Sequence, residues 1–240
     1  MLTNALIHDT IQTDRRFDWR CLYLARNKYP EETVNLILEV ATKLFIEKGY
    51  DHTSLQDIIS ETKLSKGAIY HHFSSKEEIF EAMYHRIGIE NSEFLAKIRD
   101  DKKLSGYNKL KAIFKVALTN PNQGIMMTAT PNLLENTRFL AMQIRQIYDI
   151  VSPDFILPIL EEGNRDGSIH TEHPKELAEA MMLLSNVWLN PLIREDSVEE
   201  MRRKCIVYGE MFSALGVDLM DEEIIEGYID SCLQAQKHNK

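Results

Sequence analysis

The stretch KLSKGAIYHHFSSKEEIF, residues 63–80, decides the fold. From Thr62 through Lys76 it holds no acidic residue, although the chain's formal net charge is −9. Ser65 is placed to cap a short helix from Lys66 to about Phe73. Ser75 is placed to cap the next, with Glu77 and Glu78 in a first turn where negative charge suits the helix dipole. On the short helix Ile69 and Phe73 read as inward anchors. A helix this short, basic and aromatic has three candidate uses: a metal site, a catalytic site, or an element that docks on a phosphate backbone.

Upstream, Val34, Ile37, Leu38, Ala41, Leu44 and Phe45 recur at three- and four-residue spacing, the apolar stripe of an amphipathic helix. Gly49 is placed to end it. Thr53 is expected to start a second helix, with Gln56 three residues on in a capping box, and with Leu55, Ile58 and Ile59 facing inward. The sequence ETKL (61–64) is the turn. Downstream, a long helix is expected from Lys76 to about Arg99, with Gly88 as a bend. Helices follow at about 106–119, 132–150, 153–165, 174–190, 197–215 and 221–236. Pro153 and Pro174 read as first helical positions. Gly163 and Gly167 mark the turn after EEGNRDG. No run of alternating β-branched residues is present. The expected fold is all-α, with a three-helix unit at 31–80 joined through the long helix to a helical body at 81–240.

The totals fit this picture. At 240 residues, with 44% apolar and 27% charged side chains, the chain can bury a proper core. It has no apolar run long enough for a membrane span, so no membrane association is expected. The N-terminus lacks the basic start and apolar core of a secretory signal. Cys21, Cys205 and Cys232 lie far apart with no CxxC pair, the usage of a reducing, cytoplasmic setting. Residues 1–30 read equally as a short helix packed on the body, as a basic arm, or as sequence upstream of the true start.

Two short helices joined by a tight turn, the second polar and basic, form a helix-turn-helix. The second helix must enter a groove about 12 Å wide, so its outward residues should be small or able to hydrogen-bond. Gly67 and Ala68 let the backbone approach closely, and Lys66 and His71 can reach base edges. Thr53, Ser54, Ser65, the Tyr70 hydroxyl and Lys76 are placed to meet phosphates. His71 and His72 diverge by about 100° on a helix and have no nearby Cys or Asp, which argues against a metal site. His170 and His173 read as a solvated turn. There is no nucleophile elbow, phosphate loop, HExxH or recognisable carboxylate pair, so no enzyme is expected. Across residues 31–86 there are six Lys/Arg and ten Asp/Glu, a net of −4. A divided field follows, positive on the docking face and negative behind it. Modest non-specific affinity and a steep loss of binding with salt are expected.

Residues 33–80 resemble the DNA-binding domain of the TetR family of bacterial repressors. The matching runs are ILEVATKLFIEKGYDHTSLQDI and LSKGAIYHHFSSKEEIF. They meet the family pattern of an apolar stripe, Gly-Tyr, Thr-Ser-x-x-Ile, Ser-Lys-Gly-x-x-Tyr-x-His-Phe and Lys-Glu. Ser60-Glu61-Thr62 departs from it, since small residues with a glycine are commoner in that turn. The resemblance implies a cytoplasmic homodimer on a double-stranded, palindromic DNA operator. It also implies a small-molecule effector pocket in the body, and dimerisation through the last long helices as a four-helix bundle. Helices 174–190 and 197–215 carry suitable faces: Ala178, Met181, Met182, Leu184, Ser185 and Trp188 on one, Val207, Met211 and Leu215 on the other. Phe114, Met126, Met127, Phe139, Tyr148, Phe155 and Trp188 could line the pocket or be ordinary core; NPNQGIMMTATPNLLE could be its gate or a loop. No cofactor is called for beyond an unidentified effector. The reading is a ligand-responsive regulator, with a repressor foremost; an activator or an architectural DNA-binding protein is the alternative.

Overall fold

Three serines set the N-terminal architecture. Ser54, Ser65 and Ser75 each accept a hydrogen bond from the backbone N–H three residues on, at 3.1, 3.1 and 3.2 Å. Each therefore satisfies a donor that its helix leaves open, and each starts a helix. In the computed structural model, which describes residues 31–119, 134, 136–191 and 193–238, the head comprises α1 (Glu31–Lys48) and the three helices these serines start: α2 (Leu55–Thr62), α3 (Lys66–His72) and the beginning of α4 (Lys76–Arg99). The chain divides into two compact units, residues 1–36 and 37–240. Of the first, only the opening of α1 is described; the second holds everything below. The expectations for residues 1–30 and for the 120–133 segment lie outside the described residues.

The second helix starts one residue later than its sequence suggests. Ser54, not Thr53, is the cap, and Asp57, not Gln56, closes the capping box by accepting from the Ser54 N–H at 2.8 Å. Gly49 ends α1 at φ +81°, as expected of a left-handed C-terminal residue. Lys63 ends α2 at φ +56°, doing in the turn what a glycine does more easily. Ile37, Phe45, Ile58, Ile69 and Ile79 are fully buried and hold these helices together.

The body is built from α5 (Gly106–Thr119), α6 (Thr137–Gln146), α7 (Leu157–Asp166), α8 (Pro174–Leu183), α9 (Val198–Ser213) and α10 (Glu222–His238). Among the described residues there is no strand, and no helix is long and apolar enough to cross a membrane. The expected break at Ser152-Pro153 does not occur. Pro153 lies inside a wide-turn helix, Ile147–Ile156, that joins α6 to α7 without interruption. Proline has no N–H to donate, so the ladder widens there: the Leu157 N–H reaches the Ser152 carbonyl, five residues back. A shorter wide turn, Leu184–Trp188, extends α8, with the Leu189 N–H on the Leu184 carbonyl at 2.9 Å.

α5 and α7 touch through glycines. A Cβ on Gly106 would fall on the backbone of Gly163 and lie 2.7 Å from the Ile159 carbonyl oxygen. The Gly106 N–H donates to Asp166 at 2.8 Å, and buried Lys109 pairs with Glu162 at 2.6 Å. Gly163 is thus a helix-packing residue, and Gly167, at φ +77°, ends α7. Around this contact Ile156, Ile159, Met181, Tyr208 and Cys232 form the centre of the body core. The Tyr208 hydroxyl donates to the Met181 carbonyl at 3.1 Å.

Candidate nucleic-acid interface

α3 is a short helix with one buried side. Ile69 has no exposed surface and Phe73 only 8%, whereas Ser65, Lys66, Gly67, Tyr70 and His71 are exposed and Ala68 is half-buried. The Lys66 ammonium lies 5.5 Å from the centre of the Tyr70 ring. A Cβ on Gly67 would meet nothing within 4 Å, so no contact within the protein requires glycine there. Ser54 is exposed at the start of α2, its hydroxyl paired with Asp57. Those bonds hold the Asp57 carboxyl below the usual carboxylate range. The His71 and His72 rings meet edge to face at 5.1 Å. Burial, and then the neighbouring His71, push the His72 imidazole down from its ordinary value. Among the described residues no group of three or more His, Cys, Asp and Glu could hold a metal ion.

Two expected phosphate contacts are corrected. Thr53 is buried, with its hydroxyl donating to the carbonyls of Gly49 at 2.8 Å and Leu44 at 3.2 Å; it ties α1 to the following loop instead of facing solvent. Lys76 folds back on the head. Its ammonium donates to the Tyr50 carbonyl at 2.8 Å and lies 4.1 Å from the centre of the Tyr50 ring. Burial lowers its pKa. Its backbone remains at the N-terminus of α4, but its charge is engaged internally.

Behind the head lies a cavity of about 1140 Å³ between α1, α4, α5, α6, α8 and α10. Of the residues singled out for a pocket, Phe139 lines it. Phe114 is in the body core, and Phe155 is buried 5.4 Å from the Arg99 guanidinium. Tyr148 is exposed, and Trp188 packs against the body core with Lys204 at 5.9 Å. Met126 and Met127 lie outside the described residues. The wall instead uses Met83, Tyr84, Met142, Gln143, Gln146 and Ile147, among others. The signal for this was the spacing 139, 142, 143, 146, 147, one helical face carrying two glutamines among apolar residues. The Gln143 Oε1 is buried and has no hydrogen-bond partner. Gly88, read as a bend, lies within unbroken α4; a Cβ there would come 2.9 Å from Gln146 Nε2.

Phe139 also reaches into the head. Its ring centre is 4.4 Å from that of Phe80 and 5.6 Å from that of Tyr50. Beside it Arg138 forms an ion pair with Glu81 of α4. Further round the body, α9 exposes Ile206, Val207 and Met211, and Leu215 is exposed in the turn that follows it, while Ala178 and Met181 of α8 are fully buried within the protomer. The expected partner face on α8 is therefore reduced to its half-buried residues.

The helical head, with α2 and the exposed α3 joined by a tight turn, has the helix-turn-helix arrangement, and it is followed by an all-helical body. Residues 37–83 match the family model for bacterial regulatory proteins of the tetR family. Through that segment the chain is similar to the DNA-binding part of TetR-family proteins. It is 33% identical over 119 residues to the uncharacterized HTH-type transcriptional regulator YuxN of Bacillus subtilis, covering 48% of this chain and 35% of that one. It is 39% identical over 70 residues to IcaR of Staphylococcus epidermidis, the HTH-type negative transcriptional regulator of the biofilm operon icaADBC, covering 27% of this chain and 35% of IcaR. The matches thus span about a third of these curated relatives. Over most of its length the fold is similar to a TetR-family transcriptional regulator from Pectobacterium atrosepticum, at TM-score 0.60 and 22% identity, covering 78% of this chain and 95% of that one. Salmonella enterica GusR gives a TM-score of 0.55 at 23% identity, covering 79% and 98%.

Proposed function

We propose that this protein is a transcriptional repressor that binds an operator through α3 and releases it when a small molecule occupies the cavity. The observation that carries the reading is the two-sidedness of α3. Ile69 and Phe73 anchor it while Lys66, open Gly67 and Tyr70 face outward. Residues 31–80 act as the reading unit and 81–240 as the effector and dimerisation unit. Lys66 and His71 read base edges; Ser54, Ser65 and Tyr70 meet phosphates. Gly67 and Ala68 let the backbone approach. The cavity touches both α1 of the head and the body helices, so a ligand there can favour one placement of the head over another. Two copies pair through the exposed apolar face of α9, which sets the spacing of the two α3 helices. The protein works without an enzymatic step or cofactor, in the cytoplasm. Repression is favoured over activation because IcaR is described as a negative regulator.

The test is fluorescence anisotropy on DNA from immediately upstream of the protein's own gene, at two salt concentrations, with Lys66→Ala/Tyr70→Phe as the control. The expected result is tight, competitor-resistant binding that weakens steeply with salt and is lost in the double variant. An architectural protein would bind competitor DNA equally well. If refolded, ligand-free protein also ignored a library of random duplexes, the DNA-binding reading would fail.

A further inference from the structure

The wall of the cavity is unevenly supplied with chemistry. Its charged residues, Glu39, Lys43, Glu47, Arg86 and Glu90, come from α1 and α4; the lining from α5, α6, α8 and α10 carries no charge. The donors of that inner lining are largely engaged. Ser185 and Asn186 donate to the Met182 carbonyl at 3.2 and 2.9 Å, Asn190 to the Asn186 carbonyl at 3.0 Å, and Ser231 to the Gly227 carbonyl at 2.9 Å. Tyr228 donates to the Leu189 carbonyl. Among the polar atoms of that lining Gln143 Oε1 stands apart, being buried and without a hydrogen-bond partner. A buried amide oxygen left unpaired is destabilising, so a ligand that pairs it offsets that cost. An ionic ligand would find no counter-charge on the inner lining, and leaving water would be expensive for it. Burial also raises the Cys232 thiol to about 11, so it stays protonated and adds no charge.

We infer that the effector is an uncharged, mainly apolar molecule carrying an N–H or O–H donor, which it gives to Gln143 Oε1. This rests on the reading of the cavity as the effector site, and it names the ligand class and the residue that selects it. The apolar body lies against Met83, Met142, Ile147, Val151 and Met182. Methionines at several points of the wall adapt to its shape.

N-phenyl-1-naphthylamine is a suitable probe, being neutral, apolar, fluorescent and equipped with one N–H. Its N-methyl derivative lacks the donor, and 8-anilino-1-naphthalenesulfonate adds a negative charge. Titrated with full-length protein, the N–H probe should bind saturably and about tenfold tighter than either comparison compound, as one neutral hydrogen bond warrants. Gln143→Leu should bind the N–H and N-methyl probes alike; Gln143→Met serves if that variant does not fold. The inference is overturned if neither neutral probe binds the wild type, if the sulfonate binds as tightly as the N–H probe, or if the N–H preference survives in the Gln143 variant. DNA anisotropy with the probe present separates the two readings. A Gln143-dependent preference with no effect on DNA binding keeps this inference and sinks effector release. DNA release that ignores Gln143 does the reverse.

Discussion

Gly67 is the residue whose identity the protein alone does not explain. Glycine within a helix is destabilising by about 0.5–1 kcal/mol relative to alanine, and here no neighbour forbids a methyl group. Its use fits a surface that another molecule must approach. Gly67→Ala should therefore stabilise the free protein by about 0.5 kcal/mol in thermal melts while weakening operator binding. A variant that is stabilised and still binds at full strength would remove Gly67 from the interface. His72 gives a pH prediction of definite sign. Its folded-state pKa is depressed by burial and by His71, so its stabilisation is complete above the unfolded value of about 6.5 and is lost as pH falls through the lower folded value. The melting temperature should fall between about pH 7.5 and pH 5.5, and His72→Gln should shrink that fall. Lys76 shows the limit of single-residue reading. Its position at a helix N-terminus was legible, but the direction of its side chain was set by Tyr50, twenty-six residues earlier.

At the scale of elements, packing decides more than pairing. α6 meets the head through the Phe139 ring and through the Arg138–Glu81 ion pair. The ring is buried, whereas the Arg138 side chain is 63% exposed and works against water and salt. Phe139→Ala should cost about 3–5 kcal/mol in urea unfolding. Arg138→Ala should cost about 1 kcal/mol or less. Equal losses would show that the ion pair carries the junction. The α5–α7 contact is the converse case, where absence of a side chain is required. Gly106→Ala should destabilise by about 1–3 kcal/mol, since the obstacle is the Gly163 backbone, not a movable side chain. Most helices were legible from their period and serine caps. Pro153 was not, because a proline that widens a helix reads in sequence like one that starts a new one. Only the turns on either side settle which occurs.

At the scale of the whole molecule, the question is which apolar faces the protomer uses and which remain outside. Helices α8 and α9 are both amphipathic, and both were expected to serve a partner. Ala178 and Met181 are consumed by the protomer's own core, while Val207, Met211 and Leu215 stay outside at 43–52% exposure. Val207→Glu/Met211→Glu should convert a dimer to a monomer in sedimentation velocity and reduce operator affinity; a variant that remains dimeric would move the interface elsewhere. The cavity belongs to this scale too. Its wall gathers residues from Leu38 to Cys232, and no window of sequence holds more than a fraction of them. The amino-acid sequence by itself determined the all-helical class, the helix-turn-helix and the outward set on α3, because caps, turns and a period of 3.6 act between residues a few positions apart. Only the tertiary structure decided that Thr53 and Lys76 turn inward, that Phe139 bridges head and cavity, and that Gln143 Oε1 is left without a hydrogen-bond partner. Those outcomes depend on which distant surfaces meet, and a helix's own pattern shows that a face is apolar without showing what will cover it.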